Sequence, residues 1–178
     1  SVVMMVKNEA KNLAISLPAL RGWIDELIVL DSGSTDQGQQ LVESAGGQWF
    51  VNTNWQGFGK QRQLAQSYAT GDWILALDAD EEITPQLKQS ILEVIAHPPA
   101  NIVYGIKRID CIFGHEIDNS YWALKAHWRL YPKTFQYNDN LVHESVELNG
   151  AVTQTLKGTM LHHTADTPQF WLDKRLQY

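Results

Sequence analysis

Over the first hundred residues, short apolar runs alternate with stretches of helical period, and this rhythm restricts the fold more than any other feature. Val2 to Val6, Leu27 to Leu30, Gln48 to Val51 and Trp73 to Leu77 read as strands. Helical stretches lie around Leu13 to Leu20, through Leu41 and Val42, and over Lys60 to Ala69, the last stopped by Gly71. Asp36 reads as the N-cap of the Leu41–Val42 helix. Thr84-Pro85 caps and starts a fourth helix, which carries Leu87, Ile91, Leu92 and Ile95 and is ended by Pro98-Pro99. Four strand–helix repeats predict an α/β fold, a mainly parallel sheet flanked by helices. Trp73 to Leu77 has the unbroken apolar character of a strand buried on both faces.

After Pro99 the rhythm changes. Ile102 to Ile109 is a clear strand, and "HWRLYP" and "VTQTLKGTMLHH" read as others, with aromatic, polar loops between them. No flexible linker intervenes, so residues 101–178 read as a second half of the same domain as residues 1–100. A chain of 178 residues suffices for one substantial core, burying roughly 70% of its unfolded surface. The chain starts at Ser1 within an apolar strand and stops at Tyr178 within "QFWLDKRLQY", a helical pattern. The expectation is that the full protein continues past Tyr178.

The balance of 20 acidic against 14 basic residues, net −6 with no basic run, argues against nucleic acid as a partner. Cys111 is the only cysteine, which excludes an intrachain disulfide and a cysteine-based zinc site and suits a reducing cytoplasm. No apolar stretch approaches the roughly 20 residues of a membrane span. Seven tryptophans exceed what a core of this size needs, so some are expected on a binding surface.

The strand from Trp73 leads into "LDADEEITP", where Asp78, Asp80, Glu81 and Glu82 crowd four negative charges into five residues. Solvent, a basic partner or a cation must offset them. Ligands of open parallel sheets bind beyond the carboxyl ends of the strands. Three acidic groups stand at such ends: Glu9, Asp31 with Asp36, and Asp78 with Asp80. Side chains two apart on an extended chain share a side. Hard carboxylate oxygens so placed suit Mg²⁺ or Mn²⁺, usually held by one or two carboxylates plus substrate phosphates. Alone, the pair also reads as a solvated acidic turn before the Thr84 cap; the preceding apolar strand and the other polar strand ends favour the cation. An aspartyl phosphatase would want Thr or Val two positions after the second Asp, where Glu82 stands.

Taken in order, "SVVMMVKNEAKNL", "VLDSGSTD", "GFGKQRQLA", "GDWILALDADEEIT" and "LVHE" resemble family 2 glycosyltransferases of the GT-A fold. Within that family the likeness is to the bacterial branch that adds a sugar to the lipopolysaccharide inner core. The first four motifs span residues 1 to 84, and Val142-His143-Glu144 extends the likeness into the second half. The resemblance implies a nucleotide-sugar-binding half at 1–100 and an acceptor-binding half at 101–178. Val6, Lys7, Asn8 and Glu9 then line the nucleotide pocket. Asp31 reads the base, with Ser32, Gly33 and Ser34 passing beside it, although any strand-to-helix turn would need such residues. Lys60 and Arg62 look like the basic pair near the donor diphosphate. Asp78-Ala79-Asp80 matches the metal motif, with Asp80 the direct ligand of Mg²⁺ or Mn²⁺ and Asp78 facing the ribose or sugar.

The implied reaction is an inverting transfer from a nucleotide-diphosphate sugar, expected to be a UDP-sugar, to a glycan or lipid-linked glycan acceptor such as the lipopolysaccharide core. The leaving diphosphate needs neutralising, and the attacking hydroxyl needs a general base. Glu144 stands where this branch has its acidic residue and is the expected base, with Asp139 and Glu116 in reserve. His143 is expected to position Glu144 or bond the donor. Of His162 and His163, one ring should point inward, and His162 is expected near the metal. Trp122, Trp128 and Arg129 are expected to line the acceptor side. "GHEIDNSYWALKAHWRLYPK" departs from the family in having no glycine before its Trp, which puts the acceptor's identity in question. A cytoplasmic location, with peripheral contact at the cytoplasmic face of the inner membrane, goes with this reading. Two alternatives compete: a nucleotidyltransferase that makes a nucleotide sugar, and a non-catalytic sugar-nucleotide-binding module. The first would want a glycine-rich basic loop after the first strand, which "VKNEAKNL" lacks.

Overall fold

The computed structural model describes residues 1–99, 101–117 and 125–165. Its first half is built as the alternation predicts. Strands β1 (Val2–Val6), β2 (Leu27–Asp31), β3 (Gln48–Val51) and β4 (Trp73–Asp78) lie side by side in the order β3-β2-β1-β4, all parallel. Between them come α1 (Ala10–Ser16), continued by a 3-10 turn at Leu17–Leu20, then α2 (Gly38–Ser44) and α3 (Phe58–Ser67). After β4 follow a short β5 (Glu81–Ile83) and α4 (Pro85–Ala96). Thr84 caps α4 by accepting the Leu87 N–H at 3.3 Å, with Pro85 in the first turn. Asp36 is not the N-cap of α2. It stands one residue earlier than Gln37, which holds that position, and accepts N–H bonds from both Gly38 and Ala10, tying the starts of α2 and α1 together.

The second half extends the same sheet. Strands β6 (Ile102–Ile112), β7 (His115–Ile117), β8 (Ala126–Pro132) and β9 (Val152–Ala165) give the continuation β4-β8-β6-β9-β5, with β7 paired to β6. Only β8 interrupts the common direction of the long strands. It is antiparallel to both β4 and β6, while β9 is parallel to β6. Alternation along β1 divides the core. Val2, Met4 and Val6 pack with Leu13, Val42 and Leu87 on one face, whereas Val3 packs with Ala65, Tyr131 and Phe135 on the other. Helices α1, α2 and α4 therefore cover one face, and α3 covers the other. The register sets Val6 opposite Asp31 and Met5 opposite Asp78, so the ends of β1, β2 and β4 open along one edge of the sheet.

Candidate active site

At that edge lies a cavity of about 740 Å³, within the range of roughly 300–1,000 Å³ usual for small-molecule sites. Val6, Lys7 and Glu9 after β1, Ser32 after β2, and Thr53 and Trp55 after β3 form one side. Asp78, Ala79 and Asp80 after β4 form the floor, with His162 of β9 beside them. Phe58 and Arg62 of α3 and the loop residues Val142, His143 and Glu144 close the remaining wall.

The carboxylates of "DADEE" divide between two networks. Asp78 is gripped by Arg62 through Nη2 and by Arg129, whose Nη2 lies 2.6 Å from the other Asp78 oxygen and 2.7 Å from Glu81. Glu81 is wholly buried and also accepts the Asp78 N–H at 2.9 Å, with Arg108 at 3.8 Å. Burial would raise the Asp78 carboxyl, but Arg129 and Arg62 outweigh it and hold it well below the usual carboxylate range. Glu81 goes the other way, pushed up by burial and by the charge on Asp78 against the pull of Arg129. Arg62 continues the network to the loop, with its Nε 3.4 Å from Glu144 and its guanidinium 5.3 Å over the Tyr137 ring.

The second network centres on His162. Pairing of β9 with β5 and β6 sets His162 opposite Glu81 and Asp110. Its Nδ1 lies 2.8 Å from Asp110 and its Nε2 lies 3.2 Å from Asp80. Burial would lower this imidazole, yet the Asp80 hydrogen bond and charge raise it above its ordinary value. Both ring nitrogens thus face carboxylates, Nδ1 toward Asp110 and Nε2 toward Asp80, which fixes the ring from two sides. His163, on the opposite face of the strand, bonds Glu82 at 2.9 Å. Among the described residues no cluster of three protein donors could hold a metal by itself.

Residues 1–150 match the family described as Glycosyl transferase family 2. The chain belongs to this family. A glycosyltransferase of Rickettsia felis is 31% identical over 171 residues, covering 93% of this chain and 60% of the relative. The lipopolysaccharide core biosynthesis glycosyltransferase LpsC of Rhizobium meliloti is 28% identical over 145 residues, covering 77% of this chain and 53% of LpsC. This family 2 chain thus spans little more than half the length of those curated relatives. Staphylococcus aureus TarS in complex with UDP-GlcNAc superposes with a TM-score of 0.64 at 16% identity, over 96% of this chain and 60% of that one. The fold of the transferase is GT-A.

Around the cavity, the anticipated residues fall into three groups. Val6, Lys7, Glu9, Ser32, Arg62, Asp78, Ala79, Asp80, His143, Glu144 and His162 line the cavity. Asn8, Asp31 and Gly33 are not on the cavity wall; Asp31 ends β2, and Asn8 and Gly33 lie in the loops that follow β1 and β2. Asp31 is buried, its carboxylate accepting the N–H groups of Gly33 and Ser34 at 3.0–3.1 Å. Asn8, at φ +56, accepts the Thr35 N–H at 2.8 Å and locks the loop after β1 to the loop after β2. The third group lies elsewhere. Lys60 is exposed and pairs with Asp139 at 3.4 Å, away from the cavity wall. Glu116 lies on exposed β7 opposite Cys111, also off the cavity wall.

Two residues expected on the acceptor side are placed differently. Arg129 is buried beneath Asp78, because antiparallel β8 runs against β4 and turns its guanidinium into the charge network. Trp128 packs against the core on the α3 face. Trp122 lies outside the described residues. The chain itself offers residues that motif reading passed over. Glu81, Arg108 and Asp110 complete the two charge networks, while Trp55 and Phe58 stand edge to face at 4.8 Å on the cavity wall. Inward alternation of Glu81 and Ile83 in β5 is the one signal that could have separated Glu81 from its acidic neighbours.

Proposed function

We propose that this domain transfers a sugar, with inversion, from a UDP-sugar to a hydroxyl of a glycan acceptor of the lipopolysaccharide-core kind. The observation that carries the reading is one cavity with Asp80 and His162 on its floor and Glu144 on the facing loop. Nucleotide, leaving group and acceptor hydroxyl each have a wall of suitable chemistry there.

A divalent cation fits the floor. Asp80 and His162, whose Oδ2 and Nε2 lie 3.2 Å apart, are the residues that would hold it. Diphosphate oxygens and water would complete its donor set, as is usual for Mg²⁺ or Mn²⁺ at phosphates. The imidazole leans the choice toward Mn²⁺. When bound, such an ion would neutralise the departing diphosphate. The chain's own residues do the rest. Lys7 and Ser32 face the nucleotide side, Asp110 fixes the His162 ring, and the Glu144 carboxylate takes the proton of the attacking hydroxyl.

A cytoplasmic place of work suits buried, unpaired Cys111. Peripheral contact with the inner membrane goes with a lipid-linked acceptor. No helix among the described residues is long and apolar enough to cross a membrane.

Calorimetry of UDP with and without Mn²⁺ tests the site. Wild type should bind UDP more tightly with Mn²⁺, and Asp80→Ala should lose that gain while keeping its fold. Equal affinities in the two proteins would overturn the metal assignment. Glu144→Gln should lower kcat by about 10²- to 10⁴-fold with donor affinity kept.

A further inference from the structure

We propose that Arg62 is a positioning residue for Glu144, holding the carboxylate at the working end of the cavity rather than binding the donor diphosphate. The proposal rests on the reading of Glu144 as the general base. Helix α3 is the frame on which the acceptor loop is mounted. Its first residues donate N–H bonds to that loop, Phe58 to the Leu141 carbonyl at 3.1 Å and Gly59 to the Asn140 carbonyl at 3.0 Å. One turn on, Gln63 donates to the Tyr137 carbonyl at 2.7 Å. Two of the amides that could have cradled a phosphate at this helix start, those of Phe58 and Gly59, are thereby committed to the loop.

Arg62 is the side chain that ties this frame to the reacting groups. Only 4% exposed, it donates through Nη1 to the Leu77 carbonyl at 3.3 Å, through Nη2 to Asp78, and through Nε to Glu144 at 3.4 Å. Three edges of a rigid fork are thus anchored on two segments 66 positions apart in sequence, the end of β4 and the acceptor loop. Among the described residues it is the one charged side chain bonded to Glu144. His143 next to it has φ +57, a left-handed conformation in a segment outside any helix or strand, so the direction of Glu144 has to be held by a side chain. The planar guanidinium does that. It fixes Glu144 relative to Asp78, and hence relative to Asp80 two residues on.

A double-mutant cycle on the full-length enzyme tests this, read as UDP release from UDP-glucose, UDP-galactose and UDP-GlcNAc with water as acceptor. The donor with the highest turnover is carried forward. Arg62→Gln should lower kcat about 10²-fold, the scale of loss for a misplaced reacting group, with donor KM within about twofold of wild type. Arg62→Lys should recover part of the turnover. On a Glu144→Gln background, Arg62→Gln should cost nothing further, because the group it positions is already disabled. A multiplicative loss in the double variant would overturn the proposal while leaving Glu144 as base. So would a tenfold rise in KM with kcat retained, the signature of a diphosphate ligand. Wild-type turnover in Glu144→Gln alone would remove the base assignment and this proposal with it. Should Arg62→Gln not fold, the same cycle is run with Arg62→Lys, whose compact ammonium cannot span the three partners.

Discussion

Arg129 shows how much of this site rests on single buried charges. Its guanidinium is the shared partner of Asp78 and Glu81, 51 and 48 positions away, at 2.6 and 2.7 Å. Removing one partner of a buried ion pair costs about 3–5 kcal/mol, because the other charge remains buried without it. Arg62 stays on Asp78 and Arg108 lies 3.8 Å from Glu81, so Arg129→Met should lower unfolding free energy by an amount at the lower end of that range, about 3 kcal/mol, in urea titration. A change as small as that of a surface pair, about 0–1 kcal/mol, would mean that solvent reaches the network. His127 supplies a second residue-scale test. Burial first, then the charges of Arg108, Arg129 and Lys125, depress its imidazole from 6.5 to about 4. The fold thus favours the neutral ring, so its contribution is complete above pH 6.5 and is lost as the pH falls toward 4. His127→Gln should flatten the stability–pH curve across that interval, and an unchanged slope would place the acid sensitivity elsewhere. Neither residue announced its role in the sequence. Spacing shows which face of a strand a side chain takes, but not which distant charge it will meet.

At the scale of elements, Gly59 marks a close join between α3 and the loop of residues 138–144. A Cβ on Gly59 would lie 2.1 Å from the Asn138 carbonyl oxygen and 2.9 Å from the Asn140 amide, both backbone, so no side-chain rotation relieves it. Gly59→Ala should push the loop off the helix. The expected result is a destabilisation of about 1–3 kcal/mol and a loss of kcat, with UDP–Mn²⁺ affinity kept, since the loops after β1 and β2 are untouched. Wild-type melting temperature and kcat in this variant would show that the loop has other places to rest. The "GFGKQR" motif was visible in the sequence, with Lys60 and Arg62 read as a basic pair near a diphosphate, but nothing local shows the loop that meets the helix start, which lies some 80 residues later. Strands β1 to β4 were legible for the opposite reason. Each carries its own apolar pattern, and parallel order follows from strand–helix alternation. Three-residue strands such as β5 and β7 are too short to show a period. Nothing local marks β8 as the strand that enters between β4 and β6.

That insertion governs the molecule as a whole. One core unites Val2, Met4 and Leu77 with Ile102, Tyr104, Leu130 and Met160, and the other unites Val3 and Ile74 with Val103, Tyr131 and Val146. Among the described residues, neither those up to 99 nor those after them enclose a core of their own, which is the physical criterion for a separate domain. The proposed site inherits the same dependence: of its cavity-lining residues, Asp80 comes from the first half, while His162 and Glu144 come from the second. We predict that the two halves unfold together. Single-tryptophan variants retaining Trp49 or Trp73, both packed on the first core, should report the same urea midpoint as one retaining Trp128, packed on the second. Backbone circular dichroism should follow the same curve. A fragment ending at residue 100 should fail to fold, since it would bare the β4 edge at Trp73, Ile74 and Leu75, where β8 pairs. Separate midpoints, or a soluble fragment 1–100 with a cooperative melt, would mean that the donor half stands alone and that the acceptor half folds onto it afterwards.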